Sequence, residues 1–301
     1  VDLIREEKTI RQSDDHRTLI RARNRCCPSV LWRERVVQWF YDVVDHVGES
    51  RDIVFIAANI LDRFHVMNGK SDVSERHFEA SALTALFLAT RVAGSATLEV
   101  LDLIRMSRAG IRVRDIITIG NEMVSKLSWD RKLLTPTDFV KAATKLLPAT
   151  VDSKCTKAII DSACYFAEVA VCDTFFVGMK PSMIAFAALL NSSETGLSQV
   201  GRLEYAHRLA KLTGTSLSDK GLRLVRNRLY QVRNTSVNNN QQPHIIPDTE
   251  SQDSDINYKG KGLCNSPSCH EDSPIFLSPV KRALTHSPAT PSVKRQRVSR
   301  Y

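Results

Sequence analysis

Apolar residues in the middle of this chain recur every three to four positions and not in strict alternation, so residues 30–232 read as helix after helix. The first block of the pattern predicts helices over 31–47, 51–66, 74–91, 98–104 and 112–127, and the second over 136–147, 153–171, 181–191, 198–212 and 217–232. Local chemistry marks several starts. Ser74 is a natural N-cap, with Val73 and Phe78 placed to staple across it. Thr135 caps, Pro136 suits the first helical position, and Asp138 completes a capping box. Ala80, Ala82, Ala85 and Ala89 on the third helix let neighbours come close, which suits a central, surrounded helix. The two blocks match in length and helix number but share little residue identity.

Within the second helix, "AANILDRFHV" sets Asp62 and Arg63 among Ile53, Ile56, Ala57, Ile60, Leu61 and Phe64. A carboxylate on so apolar a helix needs a partner, because stripping its water costs several kcal/mol, on the order of 3–5 when it is left alone. Arginine is the best partner, since its planar fork can bind both oxygens. The first helix supplies one in "LWRERVVQWFYDVV": Arg33 lies six residues before Trp39, near the apolar side marked by Val36, Trp39 and Phe40. A helix hairpin brings Arg33 beside Asp62.

Composition narrows the function. At 43% hydrophobic and 25% charged residues the chain can bury a real core. No apolar run approaches the roughly 18 residues of a membrane span, and the opening "VDLIREEKTI" is charged throughout, so a soluble intracellular protein with no membrane contact is expected. The net charge of +9 is spread unevenly: residues 30–232 hold 26 basic and 22 acidic residues, whereas from Ser278 on there are six basic residues and no acid. That is a basic tail and not the basic surface of a nucleic-acid-binding domain. Of seven cysteines, Cys155, Cys164 and Cys172 read as core thiols. Cys26–Cys27 and Cys264/Cys269/His270 lack the second half of a zinc set, so no metal or cofactor is expected. His16, His46, His65, His77 and His207 are isolated, and no phosphate loop or nucleophile–base arrangement appears, so the chain is not read as an enzyme.

In order along the chain, "WRERVVQW", "ANILDRF", "ALTALFLATRVAG" and "IGNEMVSKLSWDRKLLTPTDF" resemble the cyclin box, strongly over residues 30–145. "MKPSMIAFAALL" extends the likeness, more weakly, to residue 232. The resemblance implies an all-α fold, with a cyclin box over 30–135 and a second cyclin fold over 136–233; the residues themselves add an N-terminal extension over 1–29 with a short helix near 2–11, and a disordered tail over 234–301. It also implies that Arg33 and Asp62 form the family's buried ion pair. The partner would be a cyclin-dependent Ser/Thr protein kinase, activated when the cyclin clamps the kinase helix that carries the glutamate for the active-site lysine. The matching kinase-contact positions are Arg91 and Glu122. Arg91 stands where the family has lysine, and the acidic residues that often follow are replaced in "TRVAGSA". Trp32, Val36 and Trp39 match the groove that docks Arg-x-Leu peptides of substrates and inhibitors, with Arg35 where an aliphatic residue is usual.

The tail is polar from Asn234 and then rich in Ser, Pro and basic residues, too poor in apolar surface to offset its ordering entropy. Ser266, Ser273, Ser278, Ser287 and Thr290 each precede proline and are candidate phosphosites; "SPVK" at Ser278 suits proline-directed cell-cycle kinases. Lys281–Arg282 and Lys294, Arg295 and Arg297 are spaced like a bipartite nuclear import signal, which points to importin and the nucleus. Two alternatives stay open. One is a transcriptional cyclin. The other is a transcription factor with tandem cyclin folds that binds nucleic acid, for which Arg223, Arg226 and Arg228 are the relevant residues.

Overall fold

The computed structural model describes residues 2–10, 30–69, 73–107, 110–127, 129 and 133–239. Every regular element among them is helical. The α-helices are α1 (Asp2–Ile10), α2 (Val30–Val47), α3 (Asp52–Asn68), α4 (Glu75–Val92), α5 (Val100–Ser107), α6 (Val113–Lys126), α7 (Pro136–Ala143), α8 (Ser153–Cys172), α9 (Pro181–Gly196), α10 (Gln199–Thr213) and α11 (Lys220–Asn239). Short 3₁₀ turns follow α7 and α8, at Thr144–Leu146 and Thr174–Phe176.

Two apolar cores organise these helices. In the first bundle α4 packs against α2, α3, α5 and α6, and Ala80, Ala82, Ala85 and Ala89 are all buried. In the second, α9 is enclosed by α7, α8, α10 and α11, with Ala185, Ala187 and Ala188 buried. Each bundle thus has five helices, one of them central and lined with alanine. The caps are local. Ser74 Oγ accepts from His77 N, and Thr135 and Asp138 exchange side chain-to-backbone bonds at the start of α7.

The helix ends depart from the hydrophobic pattern where polar contacts decide them. α5 starts at Val100, because Leu98 lies buried ahead of it with its carbonyl taken by Arg91. α9 continues past Asn191 to Gly196, since Asn191 is buried and bonded to Arg226 on α11. α11 runs to Asn239, so residues 234–239, expected in the disordered tail, are helical: the sequence has no Gly or Pro to stop the helix there. The candidate phosphosites Ser266, Ser273, Ser278, Ser287 and Thr290, and the basic cluster Lys281, Arg282, Lys294, Arg295 and Arg297, lie outside the described residues. So do Cys26, Cys27, Cys264, Cys269 and His270.

A partner-docking face and its ion-pair scaffold

Arg33 enters the first bundle from α2 and meets Asp62 from α3. Its Nε donates to Asp62 Oδ1 at 2.9 Å and its Nη2 to Oδ2 at 2.8 Å, with both side chains buried. The third guanidinium nitrogen goes elsewhere. Nη1 donates to Val171 O at 2.8 Å and Cys172 O at 3.4 Å, carbonyls that close the last turn of α8 and have no acceptor role inside their own helix. A cation at this end also suits the helix dipole. One arginine therefore joins α2 to α3 and the first bundle to the second.

Other residues reinforce this seam. Arg51 binds Asp45 through Nε and Nη2, at 2.8 and 2.7 Å, and reaches Glu168 on α8 at 2.6 Å. Tyr41 donates to Glu168 O at 3.0 Å, and Asp52 accepts from Thr137 and from Lys141 on α7. Sequence reasoning missed this network, because its contacts between the bundles join residues 85 to 127 positions apart.

The expected contact residues Arg91 and Glu122 stand on α4 and α6, two helices that pack against each other. Gly120 of α6 faces α4, where an added Cβ would stand 3.5 Å from Thr84 Cγ2. Arg91 lies seven residues past Thr84 and Glu122 two past Gly120, so each stands within about 10 Å of this crossing along its own helix. Arg91 is exposed, but its guanidinium is positioned: Nη2 donates to Leu98 O at 2.8 Å, Nη1 to Ser95 O at 3.3 Å, and it lies over the Phe87 ring at 4.8 Å. Glu122 is half-buried, with Lys126 Nζ at 3.6 Å. Between the inward residues Ile116, Ile119 and Met123, α6 presents Val113, Ile117 and Val124 to solvent, at 38%, 55% and 55% exposure. Their spacing of four and seven residues makes one apolar stripe along the outer side of α6.

The groove assigned to Trp32, Val36 and Trp39 needs correction. Val36 and Trp39 are 0% and 1% exposed and belong to the first core. Trp32 is half-buried, its ring 5.8 Å from Phe78. Positions 32, 36 and 39 share one helical side, and that side faces the bundle interior. Arg35 is exposed. Trp39 Nε1 is buried and has no hydrogen-bond partner. Burial pushes the Cys172 thiol up to about 11 and raises that of Cys164, so both stay protonated, as core thiols do. Among the described residues no group of three His, Cys, Asp or Glu side chains could hold a metal ion. No described helix is long and apolar enough to cross a membrane.

Two domain families match the chain in tandem: residues 3–132 match the family described as Cyclin, N-terminal domain, and residues 134–246 that described as Cyclin, C-terminal domain. The chain belongs to the cyclin family. This cyclin is similar to G1/S-specific cyclin-D1 of Bos taurus, with 23% identity over 248 residues that cover 77% of this chain and 82% of the relative. Cyclin-D1 of Xenopus laevis is 25% identical over 56% of this chain, and that of Homo sapiens 23% over 58%; the matches span 60% and 61% of those relatives. Among solved structures, a chain in the CAK complex of Chaetomium thermophilum bound to ATP-gamma-S matches with a TM-score of 0.47 at 15% identity. That match covers 82% of this cyclin and 99% of that chain.

Proposed function

We propose that this cyclin is a non-catalytic regulatory subunit that binds and activates a cyclin-dependent Ser/Thr protein kinase in cell-cycle control, and that it acts in the nucleus. The observation that carries the reading is the α6 stripe of Val113, Ile117 and Val124, which stays exposed although α6 packs on α4. A contiguous exposed apolar strip is what a partner helix requires of its docking surface. The stripe lies over the enclosed α4, so the face is stiff, and a stiff face can hold a mobile kinase helix in its active position. The nucleic-acid alternative is less well supported: Arg226 binds Asn191 and Glu194, Arg228 binds Asp173, and Arg223 binds Ser218 O, so these arginines serve the fold. Nuclear import through importin and phosphorylation of the tail belong to the same proposal. A transcriptional cyclin would use the same face on a kinase with different substrates.

The test is copurification from the native cell with a kinase assay on the eluate. Ile117→Asp and Val124→Asp should each weaken kinase binding by about 2 kcal/mol, roughly 30-fold, as loss of a central interface anchor does. Their melting temperatures should stay unchanged, because both side chains already face water. Full kinase recovery by the double variant would defeat the reading.

A further inference from the structure

By chain order α1 precedes the first bundle, yet it sits on the second. Leu3 and Ile4 pack against the second core. Glu7, one turn on, is 4% exposed, and both its carboxylate oxygens are engaged by Ser182. Oε1 accepts from Ser182 N at 2.8 Å and Oε2 from Ser182 Oγ at 2.5 Å. Ser182 is the second residue of α9, where a backbone amide has no acceptor within its own helix. The next two amides, of Met183 and Ile184, turn back to Lys180 O. Glu7 therefore holds the Ser182 amide, in a position where the helix dipole favours a carboxylate. Leu3, Ile4 and Glu7 lie within one side of α1, while Asp2, Arg5, Lys8 and Thr9 are exposed.

A helix of nine residues is not stable alone in water, so α1 is helical because it is seated. The seat is small. Leu3 and Ile4 remain partly exposed, and a single carboxylate supplies the polar anchor. Little holds α1 down, and its polar contact with the central helix of the second bundle lies at that helix's first turn, at Ser182.

We propose that α1 is an exchangeable strap. It leaves and regains its seat while both bundles stay folded, and an amphipathic helix of a partner protein can take its place. That helix must carry two adjacent apolar residues followed three positions later by an acid. This inference stands on the second bundle alone and is independent of the kinase reading.

Hydrogen exchange of the full chain, resolved at the Ser182 amide by NMR, tests it. In the unmodified chain that amide should be protected, but should exchange faster than amides in the middle of α9. Glu7→Ala should accelerate it by about 10- to 100-fold, the scale of losing a charge-assisted hydrogen bond, and leave the α3 amides unchanged. Ser182→Ala, which removes only the hydroxyl contact, should give a smaller acceleration. Excess synthetic peptide of residues 1–11 should restore protection to the Glu7→Ala chain, and the same peptide with Glu7→Ala should not. Three results would each overturn the proposal: Ser182 exchanging together with the middle of α9, no acceleration in the Glu7→Ala chain, or equal effects of the two peptides.

Discussion

Replacing Asp62 with alanine should be among the most damaging single changes in the first bundle. The Arg33 and Asp62 side chains are only 4% and 5% exposed, so water cannot take over the role of the lost carboxylate. In Asp62→Ala, Arg33 keeps its bond to Val171 O, but Nε and Nη2 lose their acceptors in a buried site. Breaking such a pair from one side costs about 3–5 kcal/mol. With a urea dependence of about 2 kcal/mol per molar, the unfolding midpoint should fall by roughly 1.5–2.5 M. Urea titration followed by tryptophan fluorescence reads this directly, because Trp32 and Trp39 both contribute to the first core. Arg35→Ala, exposed on the same helix, is the control and should move stability by less than about 0.5 kcal/mol. The double variant Arg33→Met/Asp62→Leu removes both charges together and should recover most of the loss. It still leaves Val171 O without its donor, which should retain a deficit of about 1–3 kcal/mol. A midpoint shift below about 0.3 M for Asp62→Ala, or a double variant no better than the single, would refute this account of the pair.

Two buried groups should give the first bundle opposing pH dependences. Burial lowers His65 from 6.5 to about 4, so the neutral ring belongs to the folded state and stability is lost as pH falls from 6.5 towards 4. Burial raises Glu79 from 4.5 to about 7, with Glu75 adding to the effect, so its contribution is present below 4.5 and lost as pH rises through 7. The His65 gap is worth on the order of 3 kcal/mol, and the Glu79 gap less, because water screens part of it. His65→Phe should therefore leave stability falling with rising pH, and Glu79→Gln should leave it falling with acid; urea midpoints between pH 4 and 7 that do not diverge in this way would contradict both assignments. Gly196→Ala should destabilise by about 1–3 kcal/mol, because its Cβ would stand 3.0 Å from Cys155 Sγ and from Ile159 Cγ1. Gly120→Ala, with 3.5 Å to Thr84 Cγ2, should instead stabilise by up to about 1 kcal/mol; thermal melts of the two variants should shift in opposite directions.

What could be read from the sequence was whatever lay on one helix or between two consecutive ones. The Ser74 and Thr135 caps lie within three residues of the groups they serve, and the alanines of α4 declare their burial by their spacing. Arg33 and Asp62 are 29 residues apart on neighbouring helices, close enough for a hairpin argument. The second role of Arg33 at the end of α8 spans 138 residues, and the seat of Glu7 on Ser182 spans 175. Neither distance leaves a periodic trace. The assignment of Val36 and Trp39 to a surface groove failed for a related reason: helical spacing says which residues share a side but not what that side faces. The outer stripe of α6 was legible in principle, since Val113, Ile117 and Val124 widen the apolar arc of that helix beyond what one packing face uses.

The alanine lining of α4 and α9 bears on how such a protein can be recognised. Alanine has no rotamers to give up, so each buried alanine on these helices is enclosed without loss of side-chain entropy. The resulting cores have few alternative packings, and the surface residues they carry keep fixed mutual positions before any partner arrives. Association then requires little ordering on this side of the contact, and whatever conformational change accompanies binding falls to the other molecule.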